Sequence, residues 1–217
     1  MRKLLIWGAS GHARVVADIV RLRGEHDIVA FVHEGDAPVE TVVEGVPVIA
    51  SREAVLRLRD EGAVTDAVIG FGDCAARLEA GRWCREQRLV LATPIHPSAV
   101  VSPSARIGAG TVIAAGAVVN PGAVIGEHVI INTGATVDHD CILRDGCHLS
   151  PGVHLGGGVT VGEAAWVGVG AAVIHGISIG SRSIVGAGSA VVRDIPDGVV
   201  AYGNPARVRR AVGEAKR

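Results

Sequence analysis

From Ile95 onward an aliphatic side chain returns at every sixth residue without a slip. The series runs through Val101, Ile107, Ile113, Val119, Ile125, Ile131, Val137, Leu143, Leu149, Leu155, Val161, Val167, Val173, Ile179, Val185 and Val191, seventeen positions in all. Four residues after such positions stand small or aliphatic side chains, for example Ala99, Ala117, Ala135, Cys141, Ala171 and Ser189. The residue just before these is most often glycine, as at Gly110, Gly116, Gly122, Gly134 and Gly146. A period of six is neither helical nor the simple alternation of a strand. It fits a parallel β-helix, in which three short strands joined by tight corners make one 18-residue coil. The aliphatic and small positions then point inward and stack in columns around a narrow, dry core. Glycine relieves the backbone at corners where positive φ is expected. Seventeen hexads make nearly six coils, roughly 27 Å tall at a strand spacing near 4.8 Å. Cys141 and Cys147 fall on inward small positions and read as core residues, not as a disulfide or a metal pair.

Composition agrees. The chain is 48% hydrophobic, yet its 217 residues include only Trp 3, Tyr 1 and Phe 2 against Gly 30, so the interior must be built from small aliphatics. A net charge of -1 gives no electrostatic footprint for nucleic acid, and none for an anionic membrane surface. The apolar content excludes disorder. Ile107 to Gly126 carries no charge and is long enough to span a bilayer. It is broken by five Gly, a Pro and an Asn and lies inside the repeat, so it is not a membrane helix. Four cysteines without a C-x-x-C pair, and an N-terminal apolar run too short for a signal peptide, point to a reduced, cytoplasmic protein.

Residues 1–94 lack the hexad and read as alternating β and α, a small Rossmann-like unit with a parallel sheet. Expected strands are Lys3–Trp7, Ile28–Val32, Ala67–Phe71 and Val90–Thr93. Expected helices are Ala13–Arg23, Arg52–Glu61 (with Ser51 as N-cap) and Ala75–Arg88. Residues 95–217 form the β-helix and a C-terminal tail. Between the first strand and helix lies Gly8-Ala9-Ser10-Gly11-His12, where such sheets bind phosphate on helix N-terminal amides. The loop is not a full G-x-G-x-x-G, and a tight turn that merely starts a helix reads equally from it. His12 is either part of that site or a helix-start residue with no role.

On a β-helix, residues 18 apart stack on successive coils. His139 sits at an outward hexad position, with Gly157 its neighbour one coil up, roughly 5 Å away. An imidazole titrating near neutrality beside a bare backbone N–H suits general base catalysis with polarisation of a carbonyl oxygen. Asp140 can orient the imidazole if the corner turns both side chains together. His139 and His175, 36 apart, also resemble the zinc histidines of γ-class carbonic anhydrases. Those enzymes carry a further His where Gly180 stands here, and imidazoles about 10 Å apart cannot share one zinc. No metal is expected. His96, His128, His148 and His154 read as outward, on the surface or at a subunit contact, with His148 the one that invites another role.

The hexads are similar to those of the left-handed β-helix of hexapeptide acyltransferases, and the handedness follows from that resemblance. The order Gly8-Ala9-Ser10-Gly11-His12, Ile95-His96-Pro97-Ser98-Ala99, Ile131-Asn132-Thr133-Gly134-Ala135, Val137-Asp138-His139-Asp140-Cys141, His148-Leu149-Ser150-Pro151-Gly152 and Gly203-Asn204-Pro205-Ala206 resembles the bacterial sugar O/N-acyltransferases. These include sialic acid O-acetyltransferases and nucleotide-amino-sugar N-acetyltransferases, and the bacillosamine and perosamine type resembles this chain most. The resemblance implies a homotrimer with active sites between subunits. It implies acetyl-CoA along the β-helix, at Gly157, Gly158 and Gly176, and a nucleotide-linked sugar in the N-terminal domain, in polysaccharide biosynthesis. It makes His139 the general base, Asp140 its acidic partner and Gly157 the N–H donor to the thioester oxygen. Asn132 and His148 would line the acceptor site, while Gly8, Ser10, Gly11, His12, Glu34, Gly72 and Asp73 would face the nucleotide. Two departures bear on nucleotide recognition. His33-Glu34 replaces an acidic pair, and Cys74 stands where an Asn is common, with Arg77 retained. The expected reaction is direct N-acetylation in a ternary complex. Sugar O-acetylation, a γ-anhydrase-like metalloenzyme and a non-catalytic nucleotide-binding trimer are the alternatives.

Overall fold

The computed structural model describes residues 1–34 and 41–214. In the first part, β1 (Arg2–Trp7), β2 (His26–Val32), β3 (Val42–Val43), β4 (Val46–Ile49), β5 (Asp66–Ile69) and β6 (Val90–Leu91) form one sheet in the order β3-β4-β2-β1-β5-β6. All pairs are parallel except the β3–β4 hairpin. β1 is central, and its Leu4, Leu5, Ile6 and Trp7 are buried on both faces, the continuous apolar run a covered parallel strand requires. Helix α1 (Gly11–Arg23) packs Ala13, Val16, Ala17, Ile19 and Val20 against Leu4, Ile6, Phe31 and Val68 on one face. Helices α2 (Arg52–Asp60) and α3 (Cys74–Glu86) cover the other, where Val55, Ala80 and Cys84 meet Leu5, Trp7 and Ile69. Ser51 caps α2, its hydroxyl accepting from Ala54 N at 3.3 Å. The strand expected at Val90–Thr93 ends at Leu91, and the β3–β4 hairpin is an addition to the expected elements.

The second part is the β-helix. Sixteen two-residue strands, β7 (Val100–Val101) to β22 (Ala190–Val191), lie on three faces, each strand paired in parallel with the residue 18 further on, as Val137 with Leu155. The first face begins with the bridge Ile95–Ile113 and continues through Ile131, Leu149, Val167 and Val185. The second carries Val119, Val137 and Leu155, the third Ile125, Leu143 and Val161. The hexad aliphatics and the small residues between them form one continuous core, including Cys141 and Cys147. Every corner from Gly110 to Gly188 holds its third residue at positive φ. Glycine fills most of these, but His128, Asp140, Ala164 and Arg182 occupy four. At the far end the coil tightens to a 16-residue step, as in the bridge Ile179–Ile195. The expected tail is instead a hairpin, β23 (Val199–Gly203) and β24 (Ala206–Ala211), which extends the first face.

The two parts are bolted together along the corner between the third and first faces. Arg77 of α3 is fully buried. Its guanidinium donates to the carbonyls of Phe71, Gly72 and Asp73 on its own side and of His128, Gly146 and Cys147 on the β-helix. The His128 ring fills the space that side chains at Gly81 and Gly110 would need, and Leu78 covers Gly146 in the same way. His128 and His148 are therefore buried between domains, which corrects the surface reading of His128 and agrees with His148 having another role than a surface residue. Cys74 and Arg77 likewise face the β-helix, with Cys74 Sγ 3.9 Å from Ala165 O, which corrects the expectation that they bear on nucleotide recognition at the strand ends.

Candidate active site

A cleft of about 400 Å³ opens at the C-terminal ends of β1, β2 and β5, lined among others by Trp7, Gly8, Ser10, His33, Glu34 and Phe71. In an open α/β sheet this is the crevice that takes ligands. Gly8 has φ 128°, and a methyl group there would stand 2.8 Å from Gly70 O, so the turn accepts only glycine. Ser10 is the N-cap of α1, yet its hydroxyl makes no capping bond, leaving the hydroxyl and the first helical amides to an anion. Glu34 is held by Arg52, Nε to Oε1 at 2.8 Å, and Arg52 also reaches Glu79 at 3.4 Å while lying over the rings of Trp7 and Trp83. Arg52 went unnoticed in the sequence because its partners lie on three other elements.

Gly11, His12, Gly72 and Asp73 lie outside this cleft's lining. Asp73 caps α3 through Ala76 N at 2.8 Å. His12 and Gly72 instead meet residues of the β-helix at the domain joint. His148 Nδ1 stands 3.4 Å from Gly72 O and its Nε2 3.4 Å from Asn132 Nδ2. The His12 ring centroid is 6.3 Å from that of His148, which stacks at 5.5 Å on Trp166. Burial, helped by the Arg77 charge, pushes His12 down to about 4 and His148 down to about 3. Both imidazoles are neutral at pH 7. Trp166, absent from the sequence reading, sits one coil above His148, at an outward hexad position that the stacking arithmetic could have flagged.

The third group sits on the corner between the second and third faces. Asp140, at φ 58°, turns its carboxylate to the same side as the preceding imidazole, and His139 Nδ1 meets Asp140 Oδ2 at 2.9 Å. Asp tolerates this left-handed geometry better than most side chains. Nε2 faces Gly157, where a methyl group would stand only 2.5 Å from it. Gly157 N–H meets no acceptor among the described residues, while its carbonyl accepts from Gly176 N at 2.9 Å and Gly158 N donates to His139 O at 2.8 Å. The hydrogen bond to Asp140, then the Asp138 charge, holds the exposed imidazole above its usual value. Burial pushes the Cys141 and Cys147 thiols up, so neither is a nucleophile. No group of three or more ligating side chains suited to a metal occurs among the described residues.

A base beside a free amide, with no activated nucleophile, suits a β-helical transferase that passes an acyl group directly between two bound substrates. Residues 3–82 match the model of the PglD N-terminal domain. The chain is similar to a histidine-to-asparagine variant of perosamine N-acetyltransferase from Caulobacter crescentus, solved with CoA and GDP-perosamine, at 46% identity over 96% of this chain and 97% of that one, TM-score 0.91. It is also similar to the acetyltransferase domain of PglB from Neisseria gonorrhoeae in complex with acetyl coenzyme A, at 39% identity over 96% and 99%, TM-score 0.89. WeeI from Acinetobacter baumannii shares the fold at 23% identity over 96% and 100%, TM-score 0.84. A search of curated proteins gave no match. The chain belongs to the hexapeptide-repeat sugar acyltransferase family, an α/β domain followed by a left-handed β-helix.

Proposed function

We propose that this protein transfers the acetyl group of acetyl-CoA to the amino group of a nucleotide-linked amino-deoxy sugar, with residues 1–94 holding the nucleotide and residues 95–217 the cosubstrate. The observation that carries the chemistry is the Asp140–His139 pair directed at the bare amide of Gly157. The sugar nitrogen attacks the thioester carbon, forming the C–N bond while the carbonyl electron pair moves to oxygen. Gly157 N–H stabilises that oxyanion. His139 Nε2 takes the proton from nitrogen, and Asp140 steadies the imidazolium. Collapse of the intermediate breaks the C–S bond, and the proton leaves with the CoA thiolate. Gly158 and Gly176 leave the wall above the corner free of side chains for the pantetheine arm.

In one chain the joint cluster of His12, Asn132 and His148 lies at the first face and its corner with the second, whereas His139 occupies the next corner. That division supports a homotrimer in which one copy's acceptor cluster meets another's base. Four free, buried cysteines fit a reducing, cytoplasmic setting, in keeping with acetyl-CoA as donor. No helix among the described residues is long and apolar enough to cross a membrane. Similarity to an enzyme solved with CoA and GDP-perosamine makes GDP-perosamine the first acceptor to try. With it and acetyl-CoA, stoichiometric thiol release and an acetamide resonance at the sugar nitrogen are expected. Acetyl ester at a sugar hydroxyl would move the assignment to O-acetylation. Absence of thiol release with every nucleotide-amino-sugar tried would overturn the reading, as would activity lost on stripping stoichiometric zinc.

A further inference from the structure

The His139 corner contains a second acidic residue with a defined set of contacts. Asp138 Oδ1 accepts from His139 N at 2.7 Å and from Asn120 Nδ2 at 2.9 Å. Asn120 is the same hexad position one coil below, since 120 and 138 are 18 apart. The His139 carbonyl is meanwhile fixed by Gly158 N one coil above. The catalytic backbone is thus pinned from both sides, and from below the Asp138–Asn120 side-chain contact adds to the coil's own ladder, in which Asn120 N donates to Val137 O at 2.9 Å and Asp140 N to Pro121 O at 3.1 Å. We infer that Asp138, anchored by Asn120, is a positioning residue that sets the height and aim of the His139 imidazole toward Gly157.

The geometry gives Asp138 two effects that can be separated. Its oxygen holds the His139 N–H, and its charge acts on the imidazole, which Asp140 contacts at Nδ1. Within the chain, the coils above and below bring Gly157, Gly158, Pro121 and Gly122 to this corner, none of them titratable. His175, two coils up, is the next titratable group in the column. Asp138 itself is held below the usual carboxylate range by the His139 N–H and then by Asn120, so it is charged wherever the enzyme works. A nearby carboxylate favours the protonated imidazole, in the same direction as the shift at His139.

This inference rests on His139 acting as the base, and the test keeps the two apart. Asp138→Asn retains an acceptor oxygen for the His139 N–H but removes the charge, and its acid limb in kcat/KM against pH should move to lower pH. Asp138→Ala removes both, and kcat should fall roughly ten- to hundredfold from misaimed proton transfer, with KM for acetyl-CoA and sugar unchanged within about twofold. Asn120→Ala should give a smaller loss in kcat with the same KM signature. Melting temperature and CoA binding measured on each variant identify any that fail to fold, and Asp138→Asn, nearly isosteric, keeps the test open in that event. An unmoved acid limb in Asp138→Asn, or a wild-type kcat in folded Asp138→Ala, overturns the inference while leaving His139 as base. Full activity in His139→Ala overturns both.

Discussion

The histidines of this protein sit in two opposed environments. At the outer corner His139 is exposed, flanked by Asp138 and Asp140, and its proton affinity is raised. At the domain joint His12, His128 and His148 are wholly or partly buried with the Arg77 charge close by, and all three are pushed down to about 3 or 4. The first environment keeps an imidazole able to accept a proton in turnover. The second keeps imidazoles neutral, so that they pack and hydrogen-bond without carrying charge into a dry joint. The same residue type is therefore suited to the proposed proton transfer in one place and to neutral packing in the other, and solvent exposure decides which.

The contrast can be broken most severely at the corner. His139→Ala should lower turnover by roughly 10²–10⁴, with the melting temperature preserved, and a loss below about threefold would remove it from the base role. At the joint the order reverses. Arg77→Ala leaves six carbonyls without their shared donor and should cost about 3–5 kcal/mol of stability in chemical denaturation, and a cost under about 1 kcal/mol would show that the joint does not depend on it. Gly157→Ala puts a methyl group against Nε2, and should reduce kcat by about 10² through displacement of the imidazole. Unchanged kcat would separate the glycine from the reaction.

Acid should affect the joint before the rest of the fold. Each of the three joint histidines has a folded-state value below its unfolded one, so the unfolded chain binds more protons once pH drops below about 6.5. Stability should then fall as pH falls, by about 1.4 kcal/mol per pH unit for each of them, until pH reaches the folded values near 3 to 4. Denaturation midpoints between pH 7 and 5 for wild type and His128→Asn check this, and equal slopes would place the acid sensitivity elsewhere. The smallest effect concerns Ala164, held at φ 52° on a corner where most others carry glycine. Ala164→Gly should stabilise by about 1 kcal/mol, read as a raised melting temperature, and destabilisation would mean that its methyl group packs usefully.

The β-helix was legible because each coil repeats the constraints of the last. The hexad fixed inward columns, the 18-residue register and the meeting of His139 with Gly157 by counting alone. The final 16-residue step and the β23–β24 hairpin escaped, since both begin where the repeat stops. In the α/β domain, burial periodicity located the principal strands and helices, but not the β3–β4 hairpin, two residues on one side and four on the other. The joint was illegible for a different reason. Arg77 and Gly81 lie one turn apart on α3, but His128 is 51 residues beyond Arg77 and no pattern ties it to them. One clue was present: the glycine of the corner rule is replaced at residues 128, 140, 164 and 182, and the first two of these corners carry the domain joint and the partner of His139. Cleft residues Arg52 and Glu34 show that an ion pair across elements leaves no local signature.

The register of the coils has a further consequence for reach. Because the α/β domain is clamped to particular rungs, the span from the turn at Gly8 to the His139 corner comes in whole storeys, each about 4.8 Å high. Lengthening the chain by eighteen residues between joint and corner would raise the base one storey and carry it past a sugar whose nucleotide stayed put. Adding a single residue would rotate the imidazole out of line altogether. In the proposed reaction, acceptor length is thus gauged by a ruler with coarse, fixed graduations, written into the protein as a count of residues.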